Sequence, residues 1–285
     1  SQKSNEFLRL NLILNNLVHS LDNVVHGNTL LNPAHLNKEG NRLAQFDYIV
    51  SNPPFKTDFS DYRDKLEDDK YSDRFFAGIP KIPNKDKDKM AIYLLFIQHI
   101  LFSMKETGKA AIVVPTGFIT AQTGIERKIR DYIIQNKILK SVVSMPSNIF
   151  ATTGTNVSVL FLDKNPLNQD AILVDATQLG EKVKEGKTQK TILHKSEMNK
   201  IVDTVNKKIE ETDFSKIVKY DDITNNNCSF SAGQYFDIDM SFEKITKEEF
   251  IERNNMFRAE LKKHMGISNE LAKSILKDIE EINYE

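Results

Sequence analysis

Asn52-Pro53-Pro54-Phe55 is the run in this 285-residue sequence whose side chains and backbone together suit one particular chemistry. An amine attached to an aromatic ring is a poor nucleophile, because its lone pair is delocalised into the ring. Drawing both of its N–H groups into hydrogen bonds pushes the nitrogen towards a tetrahedral, reactive state. The Asn52 side-chain oxygen can accept one of them and the Pro53 carbonyl the other. Two successive prolines fix φ and remove the backbone N–H groups, so the carbonyls stay where they point. Phe55 then offers a flat face for the ring, a contact typically worth about 1–3 kcal/mol per base. No metal and no general base with a shifted pKa is needed, because positioning against a sulfonium methyl donor supplies most of the effect. The competing reading of the same four residues is a tight turn built from turn formers.

Such a loop needs a scaffold that holds it open at one end. Phe46-Asp47-Tyr48-Ile49-Val50 is a β-rich run that stops at Ser51 and the two prolines, so the motif follows the carboxyl end of a strand. That edge is where α/β sheets bind ligands. Apolar periodicity predicts a helix over 6–19 and another over 91–105, the latter ended by Gly108. It predicts strands at 110–114, 139–143, 157–162 and 172–175, and a helix at 124–135. Residues 56–89 are charge-rich with few periodic apolar positions and are expected to be a long, functional loop. The alternation predicts an α/β fold, a largely parallel sheet with an antiparallel edge. From about residue 180, Lys182, Lys184, Lys187, Lys190, Lys195 and Lys200 outnumber the acids, as in an exposed connection plus a polar helix. The last forty residues carry two apolar stripes, Leu261 and Met265, then Leu271, Ile275, Ile279 and Ile282. Gly266 and Ser268 lie between them, which predicts two helices joined by a break. Three segments are therefore expected: 1–178 as the catalytic domain, 179–240 as a connecting region packed on it, and 241–285 as C-terminal helices.

Composition sets outer limits. Apolar residues at 40% and charged residues at 28% are ordinary for a globular chain. A formal charge of −1 argues against indiscriminate polyanion binding but leaves room for a local basic surface. The single cysteine, Cys228, rules out an internal disulfide framework and a cysteine-rich zinc site. The expectation for metal is none. No apolar run is long enough for a membrane span, and Ser1–Glu6 lacks a secretory layout, so the expected location is cytoplasmic. His99 is expected to be a satisfied helix histidine and Cys228 an inert small side chain.

The run from Phe46 to Phe55 resembles the catalytic motif of the modification (M) subunits of type I restriction–modification systems, which are N6-adenine DNA methyltransferases of the gamma motif order. The runs 26–30, 96–101, 113–117, 144–154 and 231–235 resemble the same family in the same order, so the similarity covers nearly the whole chain. The resemblance implies a Rossmann-like S-adenosylmethionine-dependent sheet, incomplete on its N-terminal side, with a C-terminal helical extension. It implies that Asn52 and Pro53 hold the target amine, that Pro54 completes the loop, and that Phe55 stacks on the base. Phe150 matches the aromatic on the base's other face, with core packing before Val157 as the even alternative. Asn28 matches the acid that hydrogen-bonds the donor's adenine, and Asn52 also borders the donor; otherwise Gly27-Asn28 is a turn. The family's Gly-rich donor loop and helical N-terminal domain align before residue 1, and Lys3 falls on the acid that binds the donor's ribose. Tight donor binding by residues 1–285 alone is therefore not expected. The implied partners are double-stranded DNA, a specificity subunit reached through the C-terminal helices, and a restriction subunit. Two other readings stand beside the enzyme. One is a catalytically silent fragment serving assembly, its Leu271–Ile282 stripe either meeting a partner or packing within the chain. The other is an RNA or protein N-methyltransferase using the same loop.

Overall fold

The computed structural model describes residues 2–150, 156–165, 167, 169–186, 188–237 and 245–280. The expected apolar runs form β1 (Phe46–Ser51), β2 (Met104–Pro115), β3 (Leu139–Ser144), β4 (Val157–Asp163) and β5 (Asp170–Asp175). Three more strands, β6 (Glu181–Glu185), β7 (Thr188–Ile192) and β8 (Ser215–Lys219), lie in the region expected to be an exposed connection. The helices are α1 (Gln2–Leu14), α2 (Ser60–Arg63), α3 (Tyr93–Ser103), α4 (Thr116–Thr120), α5 (Gly124–Gln135), α6 (Lys195–Lys207), α7 (Tyr220–Asn225) and α8 (Lys247–Glu280).

Six strands make one sheet in the order β1-β2-β4-β3-β5-β8, and β6 with β7 makes a separate hairpin. β1 is parallel to β2 and β3 is parallel to β5. β4 runs antiparallel to both β2 and β3, and β8 antiparallel to β5. Four strands thus share one direction, and the expected antiparallel component sits in the middle of the sheet as well as at an edge. The reason is that β4, next after β3 in the chain, runs back between β2 and β3. The carboxyl ends of β1, β2, β3 and β5 therefore all emerge along one edge.

Burial follows the pattern of the residues. Ile97, Ile100 and Leu101 of α3 and Ile129 and Ile133 of α5 pack against Ile112, Val114, Val142 and Leu160. Val143, Ile172 and Val174 point to the opposite face, where Val205 of α6 and Phe214 cover them. Residues 56–89 are not the open loop expected: Phe59, Leu66 and Phe75 build a small core of their own with Leu30, Met90, Ile92 and Leu95. Helix α3 stops at Ser103 and the chain enters β2 directly, so Gly108 is no helix terminator. A Cβ there would lie 2.9 Å from the Phe46 carbonyl, so glycine is what lets β1 approach β2.

At the other end of the sheet the apolar pattern is left exposed. No residue of α1 is buried, although the helix forms where expected. β1 is an edge strand, and Tyr48 and Val50 are 77% and 85% exposed. Among the described residues no element covers that face of β1. Asp47 pairs instead with Lys105 at 2.8 Å.

Residues 1–236 and 237–285 form two compact units. Segment 179–236 thus lies in the same unit as the sheet. The second unit contains α8, a single 34-residue helix running through Gly266 and Ser268, not two helices with a break. One glycine costs a helix only about 1 kcal/mol, which the leucines, lysines and glutamates around it offset.

Arg130 holds the first unit's helices together. Its side chain is fully buried, and Nε donates to the Cys228 carbonyl at 2.8 Å. Its other nitrogens donate to the carbonyls of Phe118 and Ala121. Burial pulls its pKa down to about 10, so it remains a cation at neutral pH. Arg130→Met would leave three carbonyls without donors, and a loss of roughly 3–5 kcal/mol in urea denaturation is expected.

His99 lies on α3 as expected, but its Nδ1 is buried and has no partner among the described residues, so it is not satisfied. Burial, and then the Arg74 guanidinium, hold its pKa at about 4 against an ordinary 6.5. Between these values the unfolded chain binds a proton that the folded chain refuses. Stability is thus complete above pH 6.5 and falls as the pH drops towards 4, by on the order of 2–3 kcal/mol. Denaturation midpoints of the His99→Gln variant are expected to lose less than the wild type's over that window.

Candidate active site at the carboxyl edge of the sheet

β1 ends with Ser51 paired to Ile112 of β2, and Asn52 is the first residue beyond the ladder. Pro53 is buried while Asn52 and Pro54 are exposed, so the loop is rooted through its first proline. The Asn52 carboxamide and the Pro53 carbonyl accept no hydrogen bond among the described residues. Both acceptors that the amine chemistry calls for are uncommitted. The loop closes where Thr57 N–H donates to the Met90 carbonyl at 3.1 Å.

Phe55 is half-buried against the core. Its ring lies 6.2 Å from Tyr93, edge to face, and Tyr93 lies 6.2 Å from the fully buried Phe118 in the same manner. This row of rings fixes Phe55 and leaves its outer surface for another ring. Burial, reinforced by Glu126, raises the Tyr93 phenol above its ordinary range, so it stays protonated. Tyr93 and Phe118 support the loop without having been singled out in the sequence. Both sit in apolar helical runs, where nothing distinguishes a supporting ring from core filling.

Phe150 lies on the segment that leaves β3 at the same edge, and it is 36% exposed rather than part of a core cluster. Three inter-strand steps separate β1 from β3, about 14 Å. The remainder of the expected run, 151–154, lies outside the described residues.

Asn28 stands apart. Its Oδ1 accepts from Leu30 N–H at 3.0 Å and Leu31 N–H at 3.2 Å, so the oxygen is spent on its own turn and only the amide nitrogen remains free to donate. Lys3 lies exposed on α1, its ammonium 5.9 Å from the Phe7 ring, and offers no acceptor for ribose hydroxyls. The described residues therefore offer two free acceptors beyond β1, while Asn28 and Lys3 do not by themselves fit S-adenosylmethionine. Cys228 is buried and its thiol is pushed up to about 11 by that burial, consistent with an inert side chain. Among the described residues no group of three His, Cys, Asp or Glu could hold a metal, and no helix is long and apolar enough to cross a membrane.

An open α/β sheet with an acceptor-bearing loop at its carboxyl edge defines a ligand-binding domain of the Rossmann-like class. The family model for N-6 DNA methylases matches residues 1–244, and the chain belongs to that family. It is 30% identical over 266 residues to the type I restriction enzyme MpnII methylase subunit of Mycoplasma pneumoniae, covering 89% of this chain and 46% of that protein. It is 25% identical over 257 residues to the HindI methylase subunit of Haemophilus influenzae, covering 89% and 54%. The crystal structure of a type I restriction–modification methyltransferase subunit from Streptococcus thermophilus shares the fold. Its TM-score is 0.67 at 22% identity, over 83% of this chain and 47% of that one. The chain thus spans about half the length of the curated relatives it matches.

The Asn28 turn has a direct check. Asn28→Ala removes the acceptor for two N–H groups and is expected to cost about 1 kcal/mol in chemical denaturation, while Asn28→Asp retains stability.

Proposed function

We propose that the protein containing this chain transfers a methyl group from S-adenosylmethionine to the N6 amine of a flipped-out adenine in DNA, as the modification subunit of a type I restriction–modification system. The observation that carries the reading is the pair of uncommitted acceptors on Asn52 and Pro53 at the carboxyl end of β1. Asn52 takes one amine proton, the Pro53 carbonyl takes the other, Pro54 holds the loop rigid, and Phe55 stacks on the base. Phe150 covers the base's other face. The donor supplies an electrophilic methyl group; Asn52 and, through its free nitrogen, Asn28 border it. The relatives' names support this class of substrate and a role as one subunit among several. In that arrangement 1–178 carries the catalysis, 179–240 packs on it, and 241–285 serves assembly with a specificity subunit, the restriction subunit joining the larger complex. A modification subunit of a type I restriction–modification system would act in the cytoplasm.

A second reading has its own support. The spent oxygen of Asn28 and the cation at Lys3 favour residues 1–285 being catalytically silent when isolated.

In the assembled methyltransferase, Asn52→Ala is expected to lower kcat on a cognate duplex by on the order of 10²–10³-fold. Undiminished methylation would remove Asn52 from the site. Incorporation of labelled methyl into RNA or protein, and not DNA, would redirect the substrate assignment. Calorimetric titration of residues 1–285 with the donor is expected to show no measurable binding.

A further inference from the structure

Strands β6 and β7 carry Lys182, Lys184 and Lys190, with Lys195 just beyond, against Glu181 and Glu185, on a chain whose net charge is −1. Its placement is constrained at the root. Glu197, at the start of α6, accepts from Gly180 N–H at 2.8 Å and from His194 N–H at 2.7 Å, tying together the two ends of the hairpin. Thr191 is buried, and it donates from its hydroxyl to the Ser147 carbonyl at 2.6 Å and from its N–H to the Asn148 carbonyl at 3.0 Å. Gly180 lies at φ +86, and a Cβ there would meet Thr191 at 2.6 Å, so the close approach depends on glycine. The hairpin is thereby fastened to the segment that leaves β3 and bears Phe150.

Strand register then sorts the lysines. Directly opposed residues share a face of a hairpin. Lys182 opposes Thr191 and Lys184 opposes Gln189, so both exposed lysines lie on the face that Thr191 turns towards Ser147 and Asn148. Lys190 opposes Val183 and lies on the other face. None of these three forms an ion pair among the described residues, whereas Lys200, Lys207 and Lys208 nearby are all paired with acids. Two ammonium groups without an ion pair among the described residues are thus carried by a hairpin fastened to the segment that leaves β3, a strand about 14 Å across the sheet from β1. A duplex carries one phosphate charge per about 1.7 Å of its axis, so backbone flanking a base held at Asn52 passes within reach.

We propose that Lys182 and Lys184 bind the phosphate backbone of the substrate duplex beside the target base, a role that rests on the DNA methyltransferase reading above. The contact is to phosphate alone, so it positions the duplex and carries no sequence choice.

The test is Lys182→Gln/Lys184→Gln in the assembled methyltransferase, with duplex affinity measured by fluorescence anisotropy across a salt series and kcat measured at saturating DNA. Expected is about a tenfold loss of affinity and a fall of about two in the slope of log K against log salt, with kcat within twofold of wild type. Lys182→Arg/Lys184→Arg is expected to keep the affinity, and Lys190→Gln, on the opposite face, to leave it within twofold. An unchanged affinity and salt slope in the double glutamine variant, with wild type still methylating DNA, would overturn the hairpin contact alone. An equal loss per charge in Lys190→Gln would also overturn it, as a general charge effect. A wild-type enzyme that neither binds nor methylates duplex DNA would overturn the underlying reading as well.

Discussion

β2 is bonded on both sides, in parallel to β1 and antiparallel to β4 over Lys109–Pro115. Almost everything functional inherits its position from this strand. Its pairing with β1 decides where Asn52 leaves the sheet. Its carboxyl end, at Pro115, leads into α4, whose Phe118 is the last ring in the row supporting Phe55. Its other neighbour, β4, sets the distance from the Asn52 loop to the segment bearing Phe150. The close β1–β2 approach depends in turn on a residue without a side chain at Gly108.

The chemistry of the site follows from what is left unpaired. A buried carbonyl normally finds a donor, and in this chain Arg130 meets that need for three carbonyls at once. Asn28 does the same for two N–H groups with its side-chain oxygen. Asn52 and Pro53 are treated differently: beyond the end of β1, the Asn52 carboxamide and the Pro53 carbonyl have no donor among the described residues. Rigidity comes from the proline pair and the ring contacts beneath Phe55, not from hydrogen bonds that would consume the acceptors.

Legibility in the sequence tracked apolar density. Val and Ile runs announced β2 to β5, and the prolines announced the loop after β1. β8, with the sequence SKIVK, has too few apolar residues to stand out, and β6 and β7 are rich in lysine with only Val183 and Ile192 as apolar members. The small core inside 56–89 escaped because its members, Phe59, Leu66 and Phe75, are spaced irregularly among charges and meet only through tertiary packing. Gly266 misled in the opposite direction, since a glycine weakens a helix without ending it. The place of Asn52 to Phe55 just beyond β1 was legible, because two prolines end a strand. For Asn28 the turn reading was legible, while the N–H groups that take its oxygen are a matter of backbone geometry two and three residues on.

The strand that delivers Asn52 is also the outermost one, with a whole row of main-chain groups and the side chains of Tyr48 and Val50 turned outward. A central strand is braced from two directions; β1 is braced from one. Among the described residues that outer row of N–H and C=O groups is open to pairing, so a strand laid alongside β1 would bond directly to the backbone that leads into Asn52.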